Sequence, residues 1–226
     1  MLVTIMVVGA AVGCVAAYAA ARLVARRTGT LTPPTRPRTI ACGLAGLCSV
    51  TSLAVTFGPR AVAWELAALV APLIAATLAD LDAWLIPREC VWAVLAARAL
   101  YVMAGLVTGG SSVAFSLLAE SLLGAFAMGL PLLVAALSME WTQRSKDSLG
   151  GGDVRLLLAV GTVFGWLGAA AVLLLACLLG IVHHLVRYLQ KGEGRTFPFA
   201  PSIALACWIV ALCLPTLETL AARLFA

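Results

Sequence analysis

Apolar stretches of about 20 residues follow one another along the chain, and this is the length that an α-helix needs to cross a lipid bilayer. Charged residues make up 11% of the chain, against roughly 25% in a soluble domain, so they are too few to cover a water-facing surface. We therefore predict an all-α, polytopic membrane protein with about eight transmembrane helices in a single transmembrane domain, residues 1–226. The predicted spans are 3–22, 40–57, 61–80, 90–107, 115–138, 153–168, 169–189 and 200–220.

Basic residues predict the orientation of these helices. They are concentrated in alternate connections, of which 23–39 and 187–197 are the richest, whereas the connections between the other spans hold Arg60 alone. Because basic residues collect on the cytoplasmic side of membrane proteins, we expect the N-terminus and the C-terminus to lie outside. The alternation supports the count of eight, although the boundary between the sixth and seventh spans rests only on Gly165-Trp166-Leu167-Gly168.

Seven cysteines lie mostly inside the predicted spans, and none of them forms a Cys-x-x-Cys pair. An odd number in this arrangement is not typical of a disulfide framework or of a zinc site. We expect no metal, no cofactor and no nucleic-acid partner.

Two clusters of carboxylates lie at predicted cytoplasmic helix ends. Asp80-Leu81-Asp82-Ala83-Trp84-Leu85-Ile86-Pro87 ends the third span, and Gly150-Gly151-Gly152-Asp153 opens the sixth. Two carboxyls that share a site repel each other, which leaves one protonated and the other ionised. The ionised member can deprotonate a water while the protonated one donates to a peptide carbonyl. The alternative is a plain turn, in which Asp153 is only a first-turn residue favoured by the helix dipole.

These motifs resemble those of the type IV prepilin peptidases. The stretch from Gly150 to Leu157 resembles the Gly-x-Gly-Asp signature of that family, and Asp80 with Ile-Pro six residues later is similar to its first catalytic motif. Phe197-Pro198-Phe199-Ala200-Pro201 is similar to the Pro-Phe-Gly-Pro segment that opens the family's last helix. The resemblance implies a membrane aspartic endopeptidase with Asp80 and Asp153 as its catalytic pair. It also implies cleavage of a basic leader, just after a glycine, from prepilins or pseudopilins at the cytoplasmic membrane face.

The resemblance extends to neighbouring positions, with some departures. Five further residues are expected to bind the substrate or to shape the site: Gly150, Gly151, Gly152, Ile86 and Pro87. Arg88 stands where the family usually has Asn or Asp, and Arg155 stands where it usually has Lys, so these positions put the substrate preference in doubt. Larger bacterial members carry a domain with two Cys-x-x-Cys pairs, associated with N-methylation, in the connection that here spans 23–39. These 17 residues contain no cysteine, so we expect proteolysis without N-methylation.

Several other charged residues have alternative interpretations. Asp82 competes with Asp80, but two residues along a helix it points about 160° away from it. Six of the ten acidic residues lie in or beside the two motif loops, namely Asp80, Asp82, Glu89, Glu140, Asp147 and Asp153. Their field would attract a basic leader, which makes Glu89, Glu140 and Asp147 possible leader contacts. Otherwise these three are ordinary loop charges.

The charged and histidine residues inside the predicted spans need separate explanations. Arg98 and Glu120 are expected to form a structural ion pair or to line a polar cavity, because charges inside the bilayer are costly and usually paired. Glu65 is expected at the interface, near an outer helix end. A metal role for His183 and His184 lacks a third ligand.

Two rival functions remain. A transporter or channel would place its key charges near the midplane of the membrane, whereas these carboxylates lie at helix ends. An inactive scaffold of a pilus or secretion assembly is the other. For the peptidase, the expected partners are the bilayer of the prokaryotic cytoplasmic membrane and a prepilin or pseudopilin. The oligomeric state is left open.

Overall fold

The computed structural model describes residues 2–29, 33–141, 150–191 and 198–225. Within these ranges the chain forms six α-helices and no β-strand, which confirms the predicted all-α class. The helices are α1 Leu2–Thr28, α2 Arg36–Phe57, α3 Ala61–Ala83, α4 Arg88–Trp141, α5 Gly151–Lys191 and α6 Ala200–Phe225. All six are long and apolar enough to cross a membrane. The count of eight spans and the outward position of the termini stay predictions.

The two longest helices bend at glycines. α4 has 54 residues and α5 has 41, well above the roughly 20 needed to cross a bilayer. Gly110 in α4 has φ 77° and Gly165 in α5 has φ 63°, a region that glycine adopts without steric cost. Both glycines fall in connections where the sequence predicts a break. The two halves of α4 lie close enough for Arg98 Nε to donate a hydrogen bond to Ser121 Oγ at 2.8 Å across the bend.

Helix α3 is at the centre of the bundle. Of the 18 residues in its apolar membrane-spanning stretch, 56% are buried, whereas the corresponding stretch of any other helix is at most 33% buried. It contacts α1, α2, α4 and α6, so a residue near its end can meet several helices at once. Asp80 is such a residue.

A buried polar cluster joins α3 to both halves of α4. The guanidinium of Arg98 lies 3.2 Å from Glu65, and its Nη2 donates to the Leu117 carbonyl at 2.9 Å. Glu120, the predicted partner, is 3.9 Å from Arg98 and its side chain is 60% exposed. Glu65 is 6% exposed, because α3 packs its first turns against α4 and turns this carboxylate inward. Its expected depth at the membrane interface stays a prediction.

Glu65→Gln should destabilise the protein much more than Glu120→Gln. Removing one member of a buried ion pair leaves an unpaired buried charge, at a cost of about 3–5 kcal/mol, whereas an exposed pair contributes about 0–1 kcal/mol. The measurement is the midpoint of thermal unfolding in a mild detergent. Equal midpoints for the two variants would contradict the assignment of Glu65 as the main partner of Arg98.

Candidate functional site

Asp80 lies in the last turn of α3, where the chain leaves the helix through an unusual conformation. Trp84 adopts the left-handed region, φ 54° and ψ 35°, and its N–H bonds the Asp80 carbonyl at 3.0 Å. Few residues other than glycine adopt positive φ. The turn ends α3 just before Ile86 and Pro87, which are both buried.

The carboxyl of Asp80 holds the start of α6. Its Oδ2 accepts a hydrogen bond from the Ala200 N–H at 2.9 Å, and the backbone of Phe199 also hydrogen-bonds to this carboxyl. The first N–H groups of a helix have no partner inside it and carry its positive dipole end. Asp80 supplies that partner and is only 7% exposed. The structure thus brings the first motif and the Pro198–Pro201 segment together.

Asp153 lies in the first turn of α5, close to Asp80. The two side chains are near enough for their charges to act on each other. The Oδ1 atom of Asp153 is buried and lacks a hydrogen-bond partner among the described residues. A buried polar atom without a partner is costly, so this oxygen is ready to bind a water or a substrate group.

The two motif loops contact each other directly. A Cβ on Gly152 would lie 3.1 Å from the Cβ of Ile86, and a Cβ on Gly150 would lie 2.5 Å from Oδ2 of Asp153. Only glycine fits at Gly150 without displacing the carboxylate. Gly151 differs from both, because nothing lies within 4 Å of a Cβ placed there. Of the predicted site-shaping residues, Gly150 thus lies against Asp153 and Gly152 against Ile86, and a role for all five stays a prediction.

Asp82 is turned toward a different helix. Arg38 of α2 binds both of its carboxylate oxygens, at 2.7 and 3.0 Å, and both side chains are 38% exposed. The opposite directions of Asp80 and Asp82 follow from their spacing of two residues on a helix.

The possible leader contacts are only partly described. Glu89 is exposed in the first turn of α4, near the motif loop that contains Ile86. The side chain of Glu140 and the whole of Asp147 lie outside the described residues. Their role in attracting a leader stays a prediction.

His183 lies near the site, a position that the sequence did not predict. It interacts electrostatically with Asp80. One turn further along α5, the Arg187 guanidinium lies 5.8 Å from the centre of the Trp84 ring. The pairs His183–Asp80 and Trp84–Arg187 thus place this face of α5 beside the end of α3. The i, i+4 spacing of His183 and Arg187 is visible in the sequence, but it does not indicate which helix they face.

Comparison with known proteins gives a consistent match. Residues 67–185, more than half of the chain, match the sequence profile of the Type IV leader peptidase family. A "Prepilin leader peptidase/N-methyltransferase" of Aeromonas hydrophila is 32% identical over 177 residues, which cover 75% of this chain and 56% of that protein. The protein of the same name from Aeromonas salmonicida (strain A449) is 32% identical over 145 residues, 62% of this chain and 46% of its own.

Another relative with that name, from Escherichia coli (strain K12), is 39% identical over 70 residues, 30% of this chain and 31% of its own. The chain spans about half the length of the first curated relatives it matches. No solved structure matches it.

Proposed function

Because the chain belongs to the type IV leader peptidase family, we propose that it is an aspartic endopeptidase that removes the basic leader from type IV prepilins or pseudopilins. The observation that carries this proposal is the proximity of Asp80 and Asp153. They come from the end of α3 and the start of α5 and are close enough for their charges to interact.

The two carboxyls divide the work of peptide hydrolysis. Together they hold one proton, so that one is ionised and the other protonated. The ionised carboxylate takes a proton from water, and the resulting hydroxide attacks the scissile carbonyl carbon while the other carboxyl protonates the carbonyl oxygen. The tetrahedral intermediate then breaks its C–N bond, and the amine leaves with a proton from the pair. The Ala200 N–H keeps the Asp80 carboxyl oriented, and Oδ1 of Asp153, which has no hydrogen-bond partner among the described residues, is available to bind the attacking water.

We place this reaction at the cytoplasmic face of the prokaryotic cytoplasmic membrane. Arg38, Arg88 and Arg155 lie at the end of the bundle that carries Asp80 and Asp153. Basic residues favour the cytoplasmic side, which supports this orientation. A basic leader that remains in the cytoplasm would then reach the site from water.

The test of the proposal is leader removal by the purified protein. In detergent or in vesicles, the protein is incubated with a prepilin or pseudopilin, and the new N-terminus is read by mass spectrometry. A cut at the end of the basic leader, just after a glycine, supports the proposal. An intact substrate with correctly folded protein would favour the inactive scaffold instead.

The transporter alternative has less support. Its expected signature is a set of charges near the midplane that could bind a solute. Apart from Asp80 at the end of α3, the buried charged side chains among the described residues are Arg98 and Glu65. They bind each other, and Arg98 also donates to Ser121 and to a backbone carbonyl. A cluster whose groups are satisfied in this way is suited to holding helices together.

We expect proteolysis by this polypeptide without N-methylation. α1 continues to Thr28 and α2 begins at Arg36, so the helices occupy much of the predicted connection 23–39. Chains below about 40 residues rarely build a core of their own, so this connection cannot hold a methyl-donor domain. The check is mass spectrometry of the mature substrate after incubation with S-adenosylmethionine. A gain of one methyl group that depends on this chain alone would contradict the expectation.

Neutralising Glu89, Glu140 and Asp147 together, each to its amide, should raise KM for a leader rich in Lys and Arg. The rise should be larger at low ionic strength, because salt screens attraction between exposed charges. Glu218→Gln is the matched control, since Glu218 is an exposed acid near the other end of α6. An unchanged KM at low salt would remove these residues as leader contacts.

A further inference from the structure

An apolar groove with a volume of about 520 Å³ runs along the bundle between α2, α3 and α6. Its floor is formed by buried side chains of α3, among them Leu66, Leu69 and Leu73. Its walls include Cys48 of α2 and Leu205 of α6, which are exposed along the open side. The open side would let a chain enter sideways from the bilayer.

One end of this groove lies beside Asp80, which does not itself line it. Thr77 and Leu81, which line the groove, are three residues before and one residue after this aspartate. Pro201, another lining residue, directly follows the Ala200 whose N–H binds the Asp80 carboxyl. From Leu81 to Leu66 the floor extends about 22 Å at 1.5 Å per residue, most of the ~30 Å of bilayer hydrocarbon. The groove therefore leads from Asp80 into the membrane.

The lining defines the chemistry of what the groove can hold. Arg38 is its one charged residue, and this charge is neutralised by Asp82 at 2.7 Å. A basic leader would meet no complementary charge here. Thr77 offers a buried hydroxyl that lacks a partner among the described residues, close to where a scissile peptide would lie. The groove thus fits an apolar peptide segment whose scissile peptide bond would lie near Asp80.

We propose that the groove holds the membrane-inserted apolar segment of the substrate, on the side of the scissile bond away from the leader. This proposal rests on the proposed function, and it adds where that segment binds: along α3 for about 22 Å, or about 15 helical residues. The groove ends beside Asp80, and this favours a peptide over a bilayer lipid. A lipid acyl chain carries no group that would interact with a carboxyl there.

The contribution of such a groove is mainly positioning. Lipid chains are as apolar as the groove, so docking inside the membrane gains little from the hydrophobic effect and depends on packing. Packing against fixed walls sets how far the scissile bond reaches past Asp80. A misplacement of about 1 Å can lower the rate about 100-fold. Trp208 Nε1 donates to Ser52 Oγ at 3.0 Å between α6 and α2, which holds the two walls at a fixed separation.

Cross-linking to the native Cys48 tests the occupant directly. The probe is a synthetic substrate with a basic leader, a glycine and a 20-residue apolar segment carrying one cysteine, added to the Asp153→Asn variant in vesicles with copper phenanthroline as oxidant. Arg38 is level with Asp82, and Cys48 lies ten residues further along α2, about 15 Å deeper. The disulfide should therefore form best when the cysteine is eight to ten residues beyond the glycine. Cys42 and Cys207 also line the groove and are buried, so both are changed to serine for this test. In that background Cys48→Ser should abolish the disulfide, and Cys177→Ser, at an exposed cysteine outside the groove, should not.

A second measurement follows activity when the groove is filled. Ala45→Trp places a large ring in the groove, and Leu44→Trp places the same ring on the exposed neighbour that does not line it. Ala45→Trp should lower kcat/KM for the full substrate on the order of tenfold or more. It should leave cleavage of a short peptide without the apolar segment unchanged, and Leu44→Trp should change neither.

The outcomes separate this proposal from the proposed function. If the wild-type protein cuts neither substrate, the proposed function fails, and the cross-link still decides whether the groove holds the apolar segment. Equal cross-linking to Cys177, or an unchanged kcat/KM in Ala45→Trp, would overturn the proposal and leave lipid as the occupant. Cys48–Cys48 dimers without substrate would overturn it in favour of an interface between two copies. An equal loss for the long and the short substrate would overturn it by showing that Ala45→Trp distorts the site itself.

Discussion

Asp80→Asn and Asp153→Asn should each abolish leader cleavage, with a loss of about 10³-fold or more. Asparagine has the shape of aspartate but cannot take a proton from water or hold one for the carbonyl oxygen. Each substitution therefore leaves the pair with a single titrating carboxyl. The rate is measured with purified protein and a prepilin substrate in vesicles, under conditions in which wild-type cleavage is complete within minutes.

Both variants should remain folded. The amide oxygen of an asparagine at position 80 can still accept the hydrogen bond that the Ala200 N–H donates to Asp80, so the start of α6 keeps its partner. Circular dichroism and elution from a size-exclusion column in detergent provide the check. Loss of cleavage with an unchanged fold assigns the effect to chemistry.

Asp82→Asn is the matched control. Asp82 is on the same turn of α3, but it binds the exposed Arg38, and an exposed ion pair contributes about 0–1 kcal/mol. Most of the activity should therefore remain, as it should in Asp147→Asn. If Asp80→Asn still cuts and Asp82→Asn does not, the first motif has been assigned to the wrong carboxylate.

The sequence predicted the parts of this protein that depend on local chemistry. Runs of apolar residues predicted the helices, and the glycine-containing connections predicted the bends now found at Gly110 and Gly165. The motif residues were also identifiable, because an aspartate preceded by three glycines is a local pattern. Each of these features depends on neighbouring residues and needs no knowledge of which helices touch.

Contacts between distant helices were not predictable in the same way. The hydrogen bond from Ala200 to Asp80 joins residues 120 positions apart, and the position of His183 near Asp80 depends on where the end of α3 lies relative to α5. In a soluble protein an apolar stripe shows which face of a helix is buried. In a membrane both the lipid and the protein core are apolar, so the sequence does not reveal which face packs inward.

Helix ends and side-chain partners were predicted only in part: Arg98 pairs with Glu120 at 3.9 Å as expected, but also with Glu65 at 3.2 Å. The first span was predicted to end at residue 22, where the arginines begin, whereas α1 continues to Thr28. Arginines limit how deep a segment lies in the bilayer, but they do not break an α-helix. Glu65 was expected near an outer helix end, but the sequence did not show that its carboxylate faces the neighbouring helix, where Arg98 needs a counter-charge.

Gly150→Ala should reduce cleavage about 100-fold while the protein stays folded. A Cβ at this position would lie 2.5 Å from Oδ2 of Asp153, closer than two such atoms can approach. The carboxylate is the movable end of a side chain, so it would turn away without disturbing the helices. A catalytic group displaced by about 1 Å loses about 100-fold in rate. The readout is kcat for leader removal, together with the midpoint of thermal unfolding.

Gly151→Ala is the control that the chain itself offers. The next glycine lies in the first turn of α5, and no atom is within 4 Å of a Cβ placed there. Alanine is a better helix former than glycine by about 1 kcal/mol, so this variant should be at least as stable as the wild type and retain its activity. Equal losses in Gly150→Ala and Gly151→Ala would mean that the loop needs flexible backbone throughout. A loss confined to Gly150→Ala would mean that this glycine is required because the Asp153 carboxylate occupies the space of its missing side chain.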